Sequence, residues 1–440
     1  MFAQPGVFSP AVSEIVPTFR SCGDHPGPGS LVSGDRKVDG VAETTERRQQ
    51  AGRATAMPKA DGLHVSDAEA PSYEVLRPYG RSAGDADRFP VYKDLEEHLL
   101  TTHEHPDPVV AHVMATCAGY AYSDAETVAM IMARLGLEDN HCRTISMSVD
   151  GMLIDSTAHL VQSRSGRVAI LAYRGTPPLN GIDWLLNLEV EPEQINYWYG
   201  EPCSAVHAGF YRNVRATRYE VLGALMRACR PGPVRVSPHD GSEADGGDRV
   251  VDGALDALYI TGHSLGGAMA ALMGVMLRHE DKFRELTGRL KAIYTFGQPM
   301  VGTPQFAAAA ERDDFLREKV IRYVYDKDPV PHLPPASSGR YQHFGKEYRS
   351  TVQRVSSSLF GLLDRGGGAC RPRSGDPKYA PLPTTQMPGL LGLVLANLAF
   401  LGNKFTLTRS LPMVYSFEDH LPQHYISAVT PSDVPNEFGD

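Results

Sequence analysis

A chain of 440 residues that is 42% hydrophobic and 22% charged has room for a large buried core, as one α/β unit or as two to three average domains. Its 43 basic and 52 acidic side chains leave a net charge of −9, with no basic run or aromatic-basic ladder, which excludes nucleic acid as a partner. The six cysteines (Cys22, Cys117, Cys142, Cys203, Cys229 and Cys370) are widely spaced without a CxxC pair, which argues against a zinc site and a disulfide scaffold.

In chain order, residues 1–72 are rich in Gly, Pro, Ser and alternating charge, as expected of a disordered extension. The opening "MFAQPGVFSPAVSEIVPTFR" lacks the basic start and continuous apolar core of a signal peptide, so a cytoplasmic location is expected. Order is expected over residues 73–440, starting near "YEVLRPYG". "DPVVAHVMATCAGYA" has apolar residues at helical spacing. "SDAETVAMIMARLG" predicts a helix opened by a capping box of Ser123 and Glu126 and closed by Gly136.

"AHLVQSRSGRVAILAYRGT" predicts a hairpin turning at "RSGR" and leading into a buried strand. "NVRATRYEVLGALMRACRPG" predicts a helix with Val214, Val221, Leu222 and Leu225 on one face, and "PHDGSEADGGDR" a polar loop. "ALYITG", "KAIYTFG" and "IRYVYD" are short β-branched and aromatic runs separated by helical patterns. That alternation predicts an α/β fold: a mainly parallel sheet with helices on both faces. The apolar "GLLGLVLANLAFLG", residues 389–402, would span roughly 21 Å as a helix against a hydrocarbon core of ~30 Å, too short to cross a membrane.

"LYITGHSLGGAMAAL", residues 258–272, sets Ser264 between Gly262 and Gly266 where a strand gives way to a helix. A serine hydroxyl needs a base to become a nucleophile, and a sharp strand-to-helix elbow lifts it clear of the sheet. Gly262 and Gly266 are expected where a Cβ would collide with the chain, and Gly267 where the helix packs closely. The helix N-terminus directs N–H groups at developing negative charge, with the amide of Leu265 as one oxyanion donor. The second is expected from the loop after an earlier strand: "YRGT", with the amide of Thr176 as donor and Gly175 leaving room for the substrate oxygen.

These segments resemble the class 3 lipases, the α/β-hydrolases that include the fungal triacylglycerol lipases. "GHSLGGAMAAL" is similar to the family's nucleophile block and "AILAYRGTPPLNGIDWLLNL" to its oxyanion block. "VHAGFYRNV", "YTFGQPMVGTPQF" and "RYVYDKDPVPHLPP" resemble the helix start, the strand and the acid block that accompany them, in order over about residues 107–335. The resemblance implies an α/β-hydrolase fold and hydrolysis of a lipid acyl ester through an acyl-enzyme.

In this fold the order is nucleophile, acid, histidine. "RYVYDKDPVP" offers Asp326 and Asp328 at a strand end; the resemblance selects Asp328, with Asp326 second, although Pro329 replaces the family's usual aliphatic residue. His332, His343, His420 and His424 follow the acid. "SFEDHLPQHYISAV" resembles the family's final block, which makes His420 the general base and His424, four residues on and on the same face of a helix, the second choice. No carboxylate or cysteine set accompanies that pair, so no metal is assigned, and the chemistry needs no cofactor. His332 is expected to pack or face solvent. His263 is expected to point away from Ser264 and to pack.

By the same resemblance, residues 178–200 would form a lid, with Trp184, Leu185, Leu186 and Leu188 facing substrate; a fixed core helix is the competing reading. The 92 residues from Asp328 to His420 exceed a simple connection and predict an insertion over 336–412: an acyl pocket, a cap, a membrane-facing patch or an extra helical layer. The expected partner is a lipid or other acyl-ester substrate, with peripheral contact to a lipid surface. A phospholipase, short-chain esterase or acyltransferase on the same three residues remains open, as does a catalytically silent lipase-like binding scaffold.

Overall fold

The computed structural model describes residues 90–152, 154–176, 192–195, 204–233, 250–251, 253–351, 376–389 and 415–434, all within Ala68–Asp440. The expected extension 1–72, the loop at 238–249, lid residues Trp184, Leu185, Leu186 and Leu188, and both long apolar stretches of 336–412 lie outside the described residues, Gly389 excepted.

An eight-stranded sheet organises the fold. Its strands are β1 (His141–Val149), β2 (Ile154–Gln162), β3 (Val168–Tyr173), β8 (Ala257–His263), β9 (Leu290–Phe296), β10 (Val320–Tyr325), β11 (Lys346–Ser350) and β12 (Lys378–Ala380), in that spatial order. β3, β8, β9, β10 and β11 run parallel to one another, and the β1–β2–β3 meander and β12 add antiparallel edges. The short strands β4 (Pro192–Gln194) and β5 (Ala205–His207) pair apart from it, as do β6 (Gly232–Pro233) and β7 (Val250–Val251).

The buried runs read as continuously apolar because both faces are covered. Along β3, Ala169, Leu171 and Tyr173 enter one core with α4 (Ala208–Ala228) and α5 (Leu265–His279). Val168, Ile170 and Ala172 enter a second core with α1 (Leu95–Thr101), α2 (Pro108–Tyr120), α3 (Ala125–Leu135) and α9 (Pro422–Val429). α6 (Arg284–Arg289), α7 (Pro304–Arg312) and α8 (Asp314–Lys319) link β8, β9 and β10. This mainly parallel sheet with helices on both faces is the α/β-hydrolase arrangement.

Two local expectations need correction. The α3 N-cap is Asp124, whose carboxylate accepts from the Thr127 amide, rather than Ser123 with Glu126; the helix starts one residue later, where a carboxylate meets the free amides. The segment 336–412 is in part sheet: β11 pairs with β10 and β12 with β11. The close of α3 at Gly136 (φ +133°) and the β2–β3 turn through Gly166 (φ +81°) are as expected. Among the described residues no helix is long and apolar enough to cross a membrane.

Candidate active site

Ser264 lies between β8 and α5 at φ +58°, ψ −127°, a region that costs a non-glycine residue about 1–3 kcal/mol and persists only where its surroundings enforce it. Here the Ser264 amide donates to the Phe296 carbonyl at 2.9 Å, and α5 begins at once with the Gly267 amide donating to the Ser264 carbonyl at 3.0 Å. A Cβ on Gly262 would fall 2.2 Å from the Gly266 carbonyl oxygen, and one on Gly266 2.1 Å from that of Tyr173. Neither backbone atom can move aside, so glycine is required at both positions. At Gly267 a Cβ would press on Gln298 at 3.1 Å, the close helix packing anticipated there.

The Ser264 hydroxyl donates to His420 Nε2 at 2.8 Å, and His420 Nδ1 donates to Asp328 Oδ2 at 2.8 Å. Asp328 follows β10 and is fully buried; its Oδ1 accepts from the Val330 amide at 2.8 Å. His420 ends a short 3-10 turn, Glu418–His420, just before α9. The base loop is fastened to the acid loop. Lys327 donates its amide to Asp419 Oδ2 at 3.2 Å, and the Ser416 amide donates to the Lys327 carbonyl at 3.0 Å. These two bonds join residues 92 and 89 apart in sequence. Of the sequence candidates, Ser264, Asp328 and His420 are therefore brought together.

Asp326, by contrast, turns the chain back (φ +26°) with its amide on the Ser350 carbonyl, and His420 takes Asp328 instead. His424 does not share a helix face with His420, because α9 begins only at Pro422; its ring stacks on Tyr325 at 5.3 Å between centroids. His332 Nδ1 donates to the Thr385 carbonyl, and His343 Nε2 to that of Pro331, both as structural ties in the wall of the acid loop. Among the described residues no group of three or more His, Cys, Asp or Glu is placed to hold a metal ion.

The loop carrying Thr176 runs against the elbow: a Cβ on Gly266 would lie 3.0 Å from the Arg174 carbonyl carbon. It is fixed to β2 by the Arg174 amide on the Thr157 carbonyl at 2.9 Å and the Arg174 guanidinium on Asp155 at 2.8 Å. The reason for Gly175 differs from the expected one. A Cβ there would lie 2.2 Å from the Tyr122 hydroxyl and 2.6 Å from the His263 carbonyl oxygen, so the space serves the seam between loop and elbow.

Sequence reasoning missed three neighbours. Tyr425, on α9, donates its hydroxyl to Asp328 Oδ2 and accepts from the Tyr325 amide at 3.2 Å. Burial and then the Asp328 charge push its pKa far above the ordinary tyrosine value, so it remains a donor. Tyr122 and His263 form a hydrogen-bonded pair at 2.9 Å behind the elbow, where simple packing was expected of His263. All three sit in apolar runs whose periodicity marks burial and is silent about hydroxyl or imidazole partners.

Residues 248–338 match the family model "Lipase (class 3)". A lipase of Rhizomucor miehei is 27% identical over 219 residues, covering 47% of this chain and 50% of its own length. A triacylglycerol lipase of Arabidopsis thaliana is 40% identical over 213 residues, covering 42% of this chain and 38% of its own. The chain thus spans half or less of the length of these curated relatives. Among solved structures, a Rhizomucor miehei lipase propeptide complex aligns with a TM-score of 0.44 at 19% identity, covering 77% of this chain and 83% of that one. The family match encloses both Ser264 and Asp328, so the class 3 lipases are the family that this chain resembles.

Proposed function

We propose that the chain is a serine hydrolase that cleaves carboxylic esters of lipid acyl chains through an acyl-enzyme. The observation that carries this reading is the unbroken Ser264–His420–Asp328 hydrogen-bond chain on an elbow that strains Ser264. His420 Nε2 takes the Ser264 proton as Oγ attacks the acyl carbonyl, and Asp328 holds the other ring nitrogen and stabilises the imidazolium. The amides of Leu265 and Thr176 receive the oxyanion at the dipole end of α5. His420 then returns the proton to the leaving alcohol, and water repeats the cycle on the acyl-enzyme.

The lipid part of the reading has its own support. With Ala158 opposite Tyr173, the start of β2 at Ile154 runs four residues, about 13 Å, past the end of β3, on the edge of the sheet that carries Ser264. There the β1–β2 hairpin exposes Met147, Val149 and Met152, the last 61% exposed. The charged residues of its tip, 147–155, are Asp150 and Asp155, with Asp155 paired to Arg174, which suits an uncharged lipid surface over an anionic one. The test is hydrolysis of p-nitrophenyl esters of graded chain length, soluble and in neutral emulsions. The lipid reading predicts faster turnover of long chains at the interface; equal rates on short soluble esters would point to a short-chain esterase.

A further inference from the structure

Behind the nucleophile runs a second hydrogen-bond chain, separate from the Ser264–His420–Asp328 line. His263 is buried, with Nε2 2.7 Å from the main-chain carbonyl of His420 and Nδ1 2.9 Å from the Tyr122 hydroxyl. A carbonyl oxygen only accepts, so Nε2 carries a proton. Burial, and then the neighbouring His420, hold His263 far below the ordinary histidine value, which keeps the ring neutral. Its one ring proton is thus committed, Nδ1 is a bare acceptor, and the Tyr122 hydroxyl must donate to it. Burial raises the Tyr122 pKa, so that donor stays protonated. The same hydroxyl lies against Gly175, so the chain reaches from the oxyanion loop, through the residue before the nucleophile, to the backbone of the base.

We propose that Tyr122 and His263 are positioning residues for the general base: Tyr122 fixes His263 as its Nε2–H tautomer, and that N–H anchors the peptide carbonyl of His420. The proposal rests on the reading of His420 as that base. Asp328 fixes one ring nitrogen, and the ring's angle to it then depends on how the His420 peptide is held. The His263 bond holds the carbonyl of that peptide directly, with the two imidazoles 4.6 Å apart between centroids. In the other tautomer the His263 proton would face the Tyr122 oxygen and the His420 carbonyl would lose its donor.

The test uses the full chain and its Tyr122→Phe, His263→Phe and His263→Gln variants, with folding checked by thermal melting. Tyr122→Phe is expected to lower kcat and the rate of fluorophosphonate capture about tenfold with KM within about twofold, and His263→Phe about a hundredfold. His263→Gln, whose amide can still donate to the carbonyl, recovers most of that loss. In the His263→Gln background Tyr122→Phe adds nothing, because its effect passes through the imidazole. Nitrogen-15 NMR of the wild type should show neutral His263 protonated on Nε2, and a mixture of tautomers in Tyr122→Phe. An Nδ1–H tautomer in the wild type, full kcat in Tyr122→Phe, or additive losses in the double variant would overturn the proposal. A wild type that neither captures fluorophosphonate nor turns over ester would sink the Ser264 reading instead, and the NMR measurement still decides the tautomer.

Discussion

Gly297 offers a sharp perturbation of the site because nothing at that position touches substrate by its own side chain. It follows β9 at φ +59°, with its amide bonded to the Tyr323 carbonyl at 3.1 Å. A Cβ added there would lie 2.9 Å from Asp328 Oδ2 and 3.0 Å from both Nδ1 and Cε1 of His420. Ordinary carbon contacts begin near 3.5 Å, so the imidazole must retreat by about half an ångström from its place between Ser264 and Asp328. The left-handed backbone adds about 1 kcal/mol for alanine. Gly297→Ala is therefore expected to lower kcat by about 10- to 100-fold, with KM nearly unchanged. It should lower the melting temperature by a few degrees. Steady-state hydrolysis of a soluble p-nitrophenyl ester, alongside a thermal melt, reads both. A kcat within twofold of wild type in a variant with an unshifted melt would refute the packing of Gly297 against the His420–Asp328 pair.

Exchanging the two neighbouring histidines separates their roles: His420→Ala should lower kcat by about four orders of magnitude or more, and His424→Ala by no more than a few-fold, in the same ester assay. The acid side of stability depends on Glu347. Burial works against its charge, but Arg322 at 3.0 Å, the Thr384 amide and Arg349 outweigh that and hold the carboxyl down at about 2. A depressed carboxyl stabilises fully above its unfolded value of 4.5 and loses that contribution as pH falls towards 2, on the order of 3 kcal/mol in all. Melts from pH 6 to pH 2.5 should thus show a steeper acid loss in the wild type than in Glu347→Gln. At the hairpin, Met152→Asp should slow hydrolysis of emulsified long-chain esters and spare soluble short ones; equal slowing of both would remove the hairpin from the lipid surface.

Much of this architecture was legible because its signals are local. Continuous β-branched runs mark strands buried on both faces, and "TGHSLGG" requires glycine where backbone meets backbone at Gly262 and Gly266. The acid and base were legible through order and resemblance, since Asp328 and His420 are joined only by tertiary contacts across 92 residues. β1 was missed because only Ile145 of its nine residues is buried, which leaves no alternation to read. β11 was missed because Arg322 and Glu347 satisfy each other inside the sheet, so charged residues stand where an apolar pattern was sought. Tyr122, Tyr425 and His263 were invisible as polar partners for a related reason: burial is periodic in sequence, whereas a hydrogen bond between residues 141 apart is not.

The proposed hydrolysis requires Ser264 to be a nucleophile activated by His420. Fluorophosphonate treatment of the folded chain, followed by peptide mapping, tests it most directly. A single phosphonylated residue is expected at Ser264, with capture abolished in Ser264→Ala and slowed by several orders of magnitude in His420→Ala. An unlabelled Ser264 in folded protein, or ester hydrolysis surviving in Ser264→Ala, would contradict it.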